Sequence, residues 1–178
     1  MQLGKDDPLV LALIGQAYSY VLEEPEKGSG FLARAVALDP NLAAARIWAG
    51  WSQIYLGNMD AAIEQFSEGI RLSPVDPRLF ISQSGMAFAH FFADRYGESL
   101  SWATSAMQRQ PNYPAAQQMM VANLAMTGRV AEARRASDAY LQARPTFCIS
   151  EIKDRTPFQR PEDIERLGQA FRIAGVPE

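Results

Sequence analysis

The chain has almost none of the residues on which metal sites and covalent catalysis depend. Of its 178 residues one is a cysteine, Cys148, and one a histidine, His90. A lone cysteine cannot close an internal disulfide, and it has no second thiol at metal spacing, so a reducing, cytoplasmic setting fits. His90 has no ligand partner beyond Asp94, four residues on, and reads as a partly buried helix residue rather than a base. There is no CxxC, no HExxH and no Ser/His/Asp order, and Gly28-Ser29-Gly30 lacks the lysine of a phosphate loop. Basic residues are also short. Seventeen Lys and Arg face twenty Asp and Glu, for a net charge of −3, which disfavours nucleic-acid binding. No hydrophobic run is long enough to span a bilayer, since Pro8 to Leu22 is broken by Gln16 and Ser19. The start, Met1 to Asp7, is too polar for a secretory signal. No alternating strand pattern is seen. The sequence therefore predicts an all-α chain that is no enzyme, uses no metal or cofactor, and does not insert in a membrane.

What the chain does have is a period. Val36-Ala37-Leu38-Asp39-Pro40, Ile70-Arg71-Leu72-Ser73-Pro74, Met107-Gln108-Arg109-Gln110-Pro111 and Tyr140-Leu141-Gln142-Ala143-Arg144-Pro145 are similar exits, with prolines 34, 37 and 34 residues apart. A fixed period of this length marks one supersecondary unit copied along the chain. Each unit reads as two helices with a turn between them. Leu11, Ile14, Gly15 and Tyr18 share a helical face in the first unit, and Ile47, Gly50, Trp51, Ile54 and Tyr55 share one in the second. Pro25 suits the first turn of a second helix, and Gly57-Asn58 suits a helix end. The third unit carries three extra residues, which the pattern assigns to the region of its first helix. The expected units are residues 1–40, 41–74, 75–111 and 112–145. Residues 146–178 form an irregular segment followed by a capping helix that opens at Pro161-Glu162-Asp163 and closes at Gly175. Met1 to Pro8 lines up with the exits of later units, as if it were the last turn of a helix, and predicts that the chain is a fragment of a longer protein.

Ile14-Gly15-x-x-Tyr18, and Gly50, Gly57, Ala62, Phe66 and Pro74, followed by Tyr96, Ala106 and Pro111 and by Gly128, Ala133 and Pro145, resemble tetratricopeptide repeats. The fourth unit departs from the pattern, with Ser137 in the aromatic position. The resemblance covers residues 1 to about 145 and implies an α-α superhelix of about four helix pairs. A second resemblance rests on Trp51…Tyr55-Leu56-Gly57, Leu72-Ser73-Pro74-x-Asp76-Pro77, His90-Phe91-Phe92-Ala93-x-Arg95-Tyr96, Pro157-Phe158-x-Arg160-Pro161-Glu162-Asp163 and Ala174-Gly175-Val176-Pro177-Glu178. These look like the C-terminal repeat region of bacterial signalling proteins with an upstream class III adenylate/guanylate cyclase domain. No cyclase residue is present, so the resemblance suggests cyclase activity for a parent only.

In tetratricopeptide repeats the first helix of each unit lines the concave face. The resemblance therefore assigns Leu9, Ala12, Gln16 and Tyr20, then Ile47, Trp51, Ile54 and Tyr55, then Ile81, Ser84, Phe88, Phe91 and Phe92, and finally Gln118, Ala122, Ala125 and Met126 to a groove. Six of these are aromatic, more than a solvated face usually carries. The expected binding residues are Gln16, Tyr20, Ile47, Trp51, Tyr55, Ser84, Phe88, Phe92 and Gln118. A subgroup of the family grips a partner's C-terminal carboxylate with Lys, Asn and Arg. Here Ala12, Gln16, Trp48, Ile81 and Gly85 stand in those positions, and none suits that role. The expected partner is a protein or peptide, or the parent's own upstream domain. The alternatives are a dimerisation arm that pairs two copies, and a groove filled by the Phe147–Phe158 tail.

Overall fold

The computed structural model describes residues 7–152 and 156–178; the expected helix turn at Met1 to Asp6 lies outside them. Among the described residues the ordered elements are all helical. They are α1 (Pro8–Gln16), running on into a π-helical turn at Ala17–Val21, α2 (Pro25–Leu38), α3 (Ala43–Leu56), α4 (Met59–Leu72), α5 (Leu79–Phe92), α6 (Tyr96–Arg109), α7 (Pro114–Met126), α8 (Val130–Ala143), a 3-10 turn at Ile149–Glu151, and α9 (Pro161–Ile173).

The helix ends follow local chemistry. The Asp7 carboxylate accepts the Leu9 and Val10 N–H groups at 2.9 and 3.1 Å, and Pro8 occupies the first position of α1, where no N–H is needed. Pro25, Pro114 and Pro161 open α2, α7 and α9 in the same way. Gly57 ends α3 at φ 82°, a left-handed conformation that glycine adopts without strain. The three extra residues of the third unit are not in its first helix. α5 has the same 14 residues as α3. The surplus lies in the longer connections before α5 and before α6, because an insertion inside a packed helix would rotate every later side chain off its face.

α1/α2, α3/α4, α5/α6 and α7/α8 pack as hairpins, each second helix also meets the next first helix, and α1, α3, α5 and α7 meet one another in turn. This is an α-α superhelix with the first helices inside. α9 packs on α7 and, less, on α8, which covers the apolar end that the last hairpin of a stack otherwise exposes. Close approach depends on small residues. Phe66 is fully buried between Gly50 and Gly85, and a Cβ at these positions would stand 2.8 and 2.2 Å from its ring. Ala62 and Ala133 are likewise fully buried. The core falls into two parts. A large cluster runs from Ile54 through α5 and α7 to Phe158, Leu167, Phe171 and Val176. A small one, mostly leucine and alanine, joins α1 and α2 to the start of α3.

Candidate functional site

The inner helices and the returning tail enclose a concave cavity of about 690 Å³, a volume ordinary for ligand pockets. The π-helical turn contributes Ser19 and Tyr20, α3 contributes Trp48, Trp51 and Tyr55, and α5 contributes Ile81 and Phe88. Across from them stand Tyr113 and Gln118, then Tyr140 and Arg144 at the end of α8. The aromatic rings form a continuous surface. Tyr20 stacks on Tyr55 at 6.4 Å, Trp51 lies 6.1 Å from Tyr55 and 5.7 Å from Phe88, and Phe158 of the tail closes the row against Tyr55 and Phe88 at 5.9 and 6.0 Å.

The polar groups of the cavity are few and mostly satisfied. Gln118 donates from Nε2 to the Tyr140 hydroxyl at 2.8 Å. Arg144 is the sole charged side chain among the described lining residues; its guanidinium lies over the Tyr140 ring at 4.5 Å and donates to Gln117 Oε1 at 2.9 Å. Ser19 donates to Ser52 Oγ at 3.0 Å, behind the wall. Burial pushes the Tyr55 and Tyr113 hydroxyls above the usual tyrosine range, so both stay neutral donors in water at any ordinary pH. Such a surface suits apolar and aromatic side chains, with a few donors to orient them.

Of the residues expected from the sequence, Gln16, Tyr20, Trp51, Tyr55, Phe88 and Gln118 line this cavity. Ile47, Ser84 and Phe92 do not. Ile47 turns toward α4, where its Cγ1 would stand 3.0 Å from a Cβ on Gly69. Ser84 is buried, with its hydroxyl donating to the Phe80 carbonyl at 2.8 Å. Phe92 is buried under Phe158 at 5.1 Å. Ala12, Ile54, Phe91, Ala122 and Ala125 are core residues. Tyr113, Tyr140 and Arg144 fall outside the expected set, because they lie before α7 and at the end of α8 and not on a first helix. No helix among the described residues is long and apolar enough to cross a membrane. The described residues also hold no group of three or more His, Cys, Asp or Glu that fits a metal ion.

The same backbone recurs in solved structures. The chain is similar to YrrB, a TPR protein with an unusual peptide-binding site, at 19% identity over 97% of this chain and 89% of that one, with a TM-score of 0.62. PilW, a widely conserved type IV pilus biogenesis factor, is 15% identical over 96% of this chain and 74% of its own, with a TM-score of 0.73. MamA from Desulfovibrio magneticus RS-1, residues 41 to the end, is 14% identical over 97% and 95%, with a TM-score of 0.67. The fold is that of the tetratricopeptide repeat. At these identities the likeness to each tetratricopeptide-repeat (TPR) protein is one of fold. No family model matches the chain, and no curated protein matches it.

Proposed function

We propose that this TPR chain is a non-catalytic scaffold that holds an apolar peptide segment, or a protein presenting one, in its concave groove. The observation that carries this reading is the row Tyr20, Tyr55, Trp51 and Phe88, which forms one wall of an open cavity with a single charged side chain among its described lining residues. Aromatic rings in such a setting anchor partners, because they bury large area at little entropic cost. Gln16 and Gln118, the amide side chains of the lining, would orient the partner's backbone. The resemblance to cyclase-linked repeat regions supports a more specific placement: the regulatory C-terminal arm of a larger bacterial signalling protein in the cytoplasm, with an upstream cyclase domain as the natural partner.

The test is selection of phage-displayed peptides on the purified chain. The expected ligands carry bulky apolar residues, and Tyr20→Ala and Trp51→Ala each weaken them about tenfold, or about 1.4 kcal/mol, with helicity unchanged by circular dichroism. Ligands indifferent to both substitutions would remove the groove from consideration. A second reading, a dimerisation arm, is favoured by the exposed apolar residues of the first hairpin, Leu9, Leu13, Val21 and Leu22. Sedimentation velocity separates the two, since a concentration-independent monomer argues against pairing.

A further inference from the structure

One wall of the groove is an extended segment of the chain itself. Thr156 to Arg160 crosses the inner face without regular secondary structure. Phe158 is buried among Tyr55, Phe88 and Phe92 at centroid distances of 5.9, 6.0 and 5.1 Å. The Gln159 N–H donates to the Tyr55 carbonyl at 2.9 Å. Arg160 donates from Nη1 to the Gly57 carbonyl at 3.2 Å, and its stem lies so close over Gly57 that a Cβ there would stand 1.9 Å from Arg160 Cδ.

Both accepting carbonyls belong to the end of α3, where a helix leaves acceptors unpaired and carries partial negative charge. Backbone donor and cation are therefore read at the end of α3, and the ring by Tyr55 of that helix together with Phe88 and Phe92 of α5. The next inner helix repeats part of the arrangement, since Arg166 donates from Nη1 to the Phe92 carbonyl at the end of α5 at 2.6 Å. The backbone of Thr156–Arg160 is lightly held, and the Phe158 and Arg160 side chains make the rest of the contact. Among the described residues one backbone–backbone hydrogen bond ties it to the repeats. α9 is anchored separately, through its packing on α7 and through Phe171 against Phe147 at 5.6 Å. Arg160 is shared with it, since its carbonyl accepts the Asp163 N–H at 3.1 Å and its guanidinium pairs with Glu162 at 2.7 Å, so Phe158 and the Gln159 N–H are the groups that can leave while α9 stays.

We propose that Thr156–Arg160 is a resident occupant of the groove, displaced by a partner segment of the same chemistry: an extended peptide with an aromatic residue two positions before an arginine. This rests on the groove reading above and adds the motif and the competitor.

The probe is a labelled synthetic peptide of residues 156–162, Thr-Pro-Phe-Gln-Arg-Pro-Glu. A chain whose site is occupied most of the time binds in proportion to its open fraction, so Phe158→Ala is expected to bind the probe at least about tenfold tighter than the wild type. The same peptide with alanine for its phenylalanine or its arginine is expected not to bind. Should Phe158→Ala fail to fold, hydrogen exchange on the wild type decides: the Gln159 amide is expected to exchange at least about tenfold faster than the α5 amides, by an opening that leaves the helices intact. A Gln159 amide that opens only with α5 makes the segment a permanent cap and overturns the proposal, as does a Phe158→Ala chain that folds and ignores the probe. Dimerisation abolished by Phe158→Ala would put a second copy's segment in the site and overturn it as well. In any of these cases, displayed peptides that still depend on Tyr20 and Trp51 leave the groove itself standing.

Discussion

His90 sits half-buried near the end of α5, and its Nδ1 is buried with no hydrogen-bond partner among the described residues. Burial lowers its pKa below the ordinary 6.5 and Arg95 lowers it further, while Glu98 and Asp60 act in the opposite direction. The sign of the linkage follows. The unfolded chain binds the proton more readily, so the fold loses stability as pH falls from the ordinary histidine value to the lowered one. Below the lowered value this group adds no further loss, and above the ordinary value it costs nothing. Urea midpoints measured from neutrality down to pH about 5 should therefore fall more steeply for the wild type than for His90→Gln. Parallel profiles would mean that His90 is no more buried in the fold than in the unfolded chain. The sequence supported this placement because a single histidine among apolar residues at helical spacing has no metal partner within reach. The missing partner for Nδ1 was not legible, since it depends on which helix packs over that nitrogen.

Between elements, the helices are tied by buried polar groups as well as by apolar contact. Asn123 on α7 donates from Nδ2 to the Ser99 hydroxyl and to the Met119 carbonyl, both at 2.7 Å, and Ser99 on α6 donates to the Ala87 carbonyl of α5 at 2.6 Å. A comparable chain joins Ser19, Ser52 and the Pro25 carbonyl in the first two units. Ser99→Ala should cost about 1–3 kcal/mol, because it leaves one Asn123 N–H buried and unpaired. In an Asn123→Ala background the same change should cost less, and additive losses in a denaturation cycle would show that the two residues do not act together. These ties explain which parts of the elements were legible. Helices announce themselves through local spacing, and Pro40, Pro74, Pro111 and Pro145 mark exits that any reader of the chain can find. Ser99 and Asn123 carry no such mark, since a polar residue on a helix looks the same whether it faces water or a neighbour. The π-helical turn at Ala17–Val21 is equally silent, because its shift of one residue per turn leaves no trace in composition. The extra residues before α5 and α6 were visible as a longer period, but a period cannot say which connection holds them.

The stacked hairpins were legible at the scale of the whole molecule because a solenoid is built from near neighbours, while the returning tail was not, since Arg160 and Gly57 are 103 residues apart. That return has a consequence for stability. In a stack, each unit is held by its own packing and by its neighbours, so cooperativity is only as strong as the weakest interface. The second to fourth units and the tail share one large apolar cluster, sealed by Phe147, Phe158 and Phe171. Among the described residues the first hairpin has its small leucine and alanine cluster and the Tyr20–Tyr55 stack toward the large one, and it leaves Tyr20, Val21 and Leu22 at 56, 72 and 54% exposure. It should therefore open first. In native-state hydrogen exchange, amides of α1 and α2 are expected to exchange through an opening with lower free energy and a smaller denaturant slope than those of α5 and α7, because less surface is uncovered. Leu32→Ala at the centre of the small cluster should lower the free energy of that local opening by about 2–5 kcal/mol and leave the exchange of α5 and α7 nearly unchanged. A single opening event shared by all eight helices of the hairpins, in both the wild type and Leu32→Ala, would show that the two clusters behave as one core.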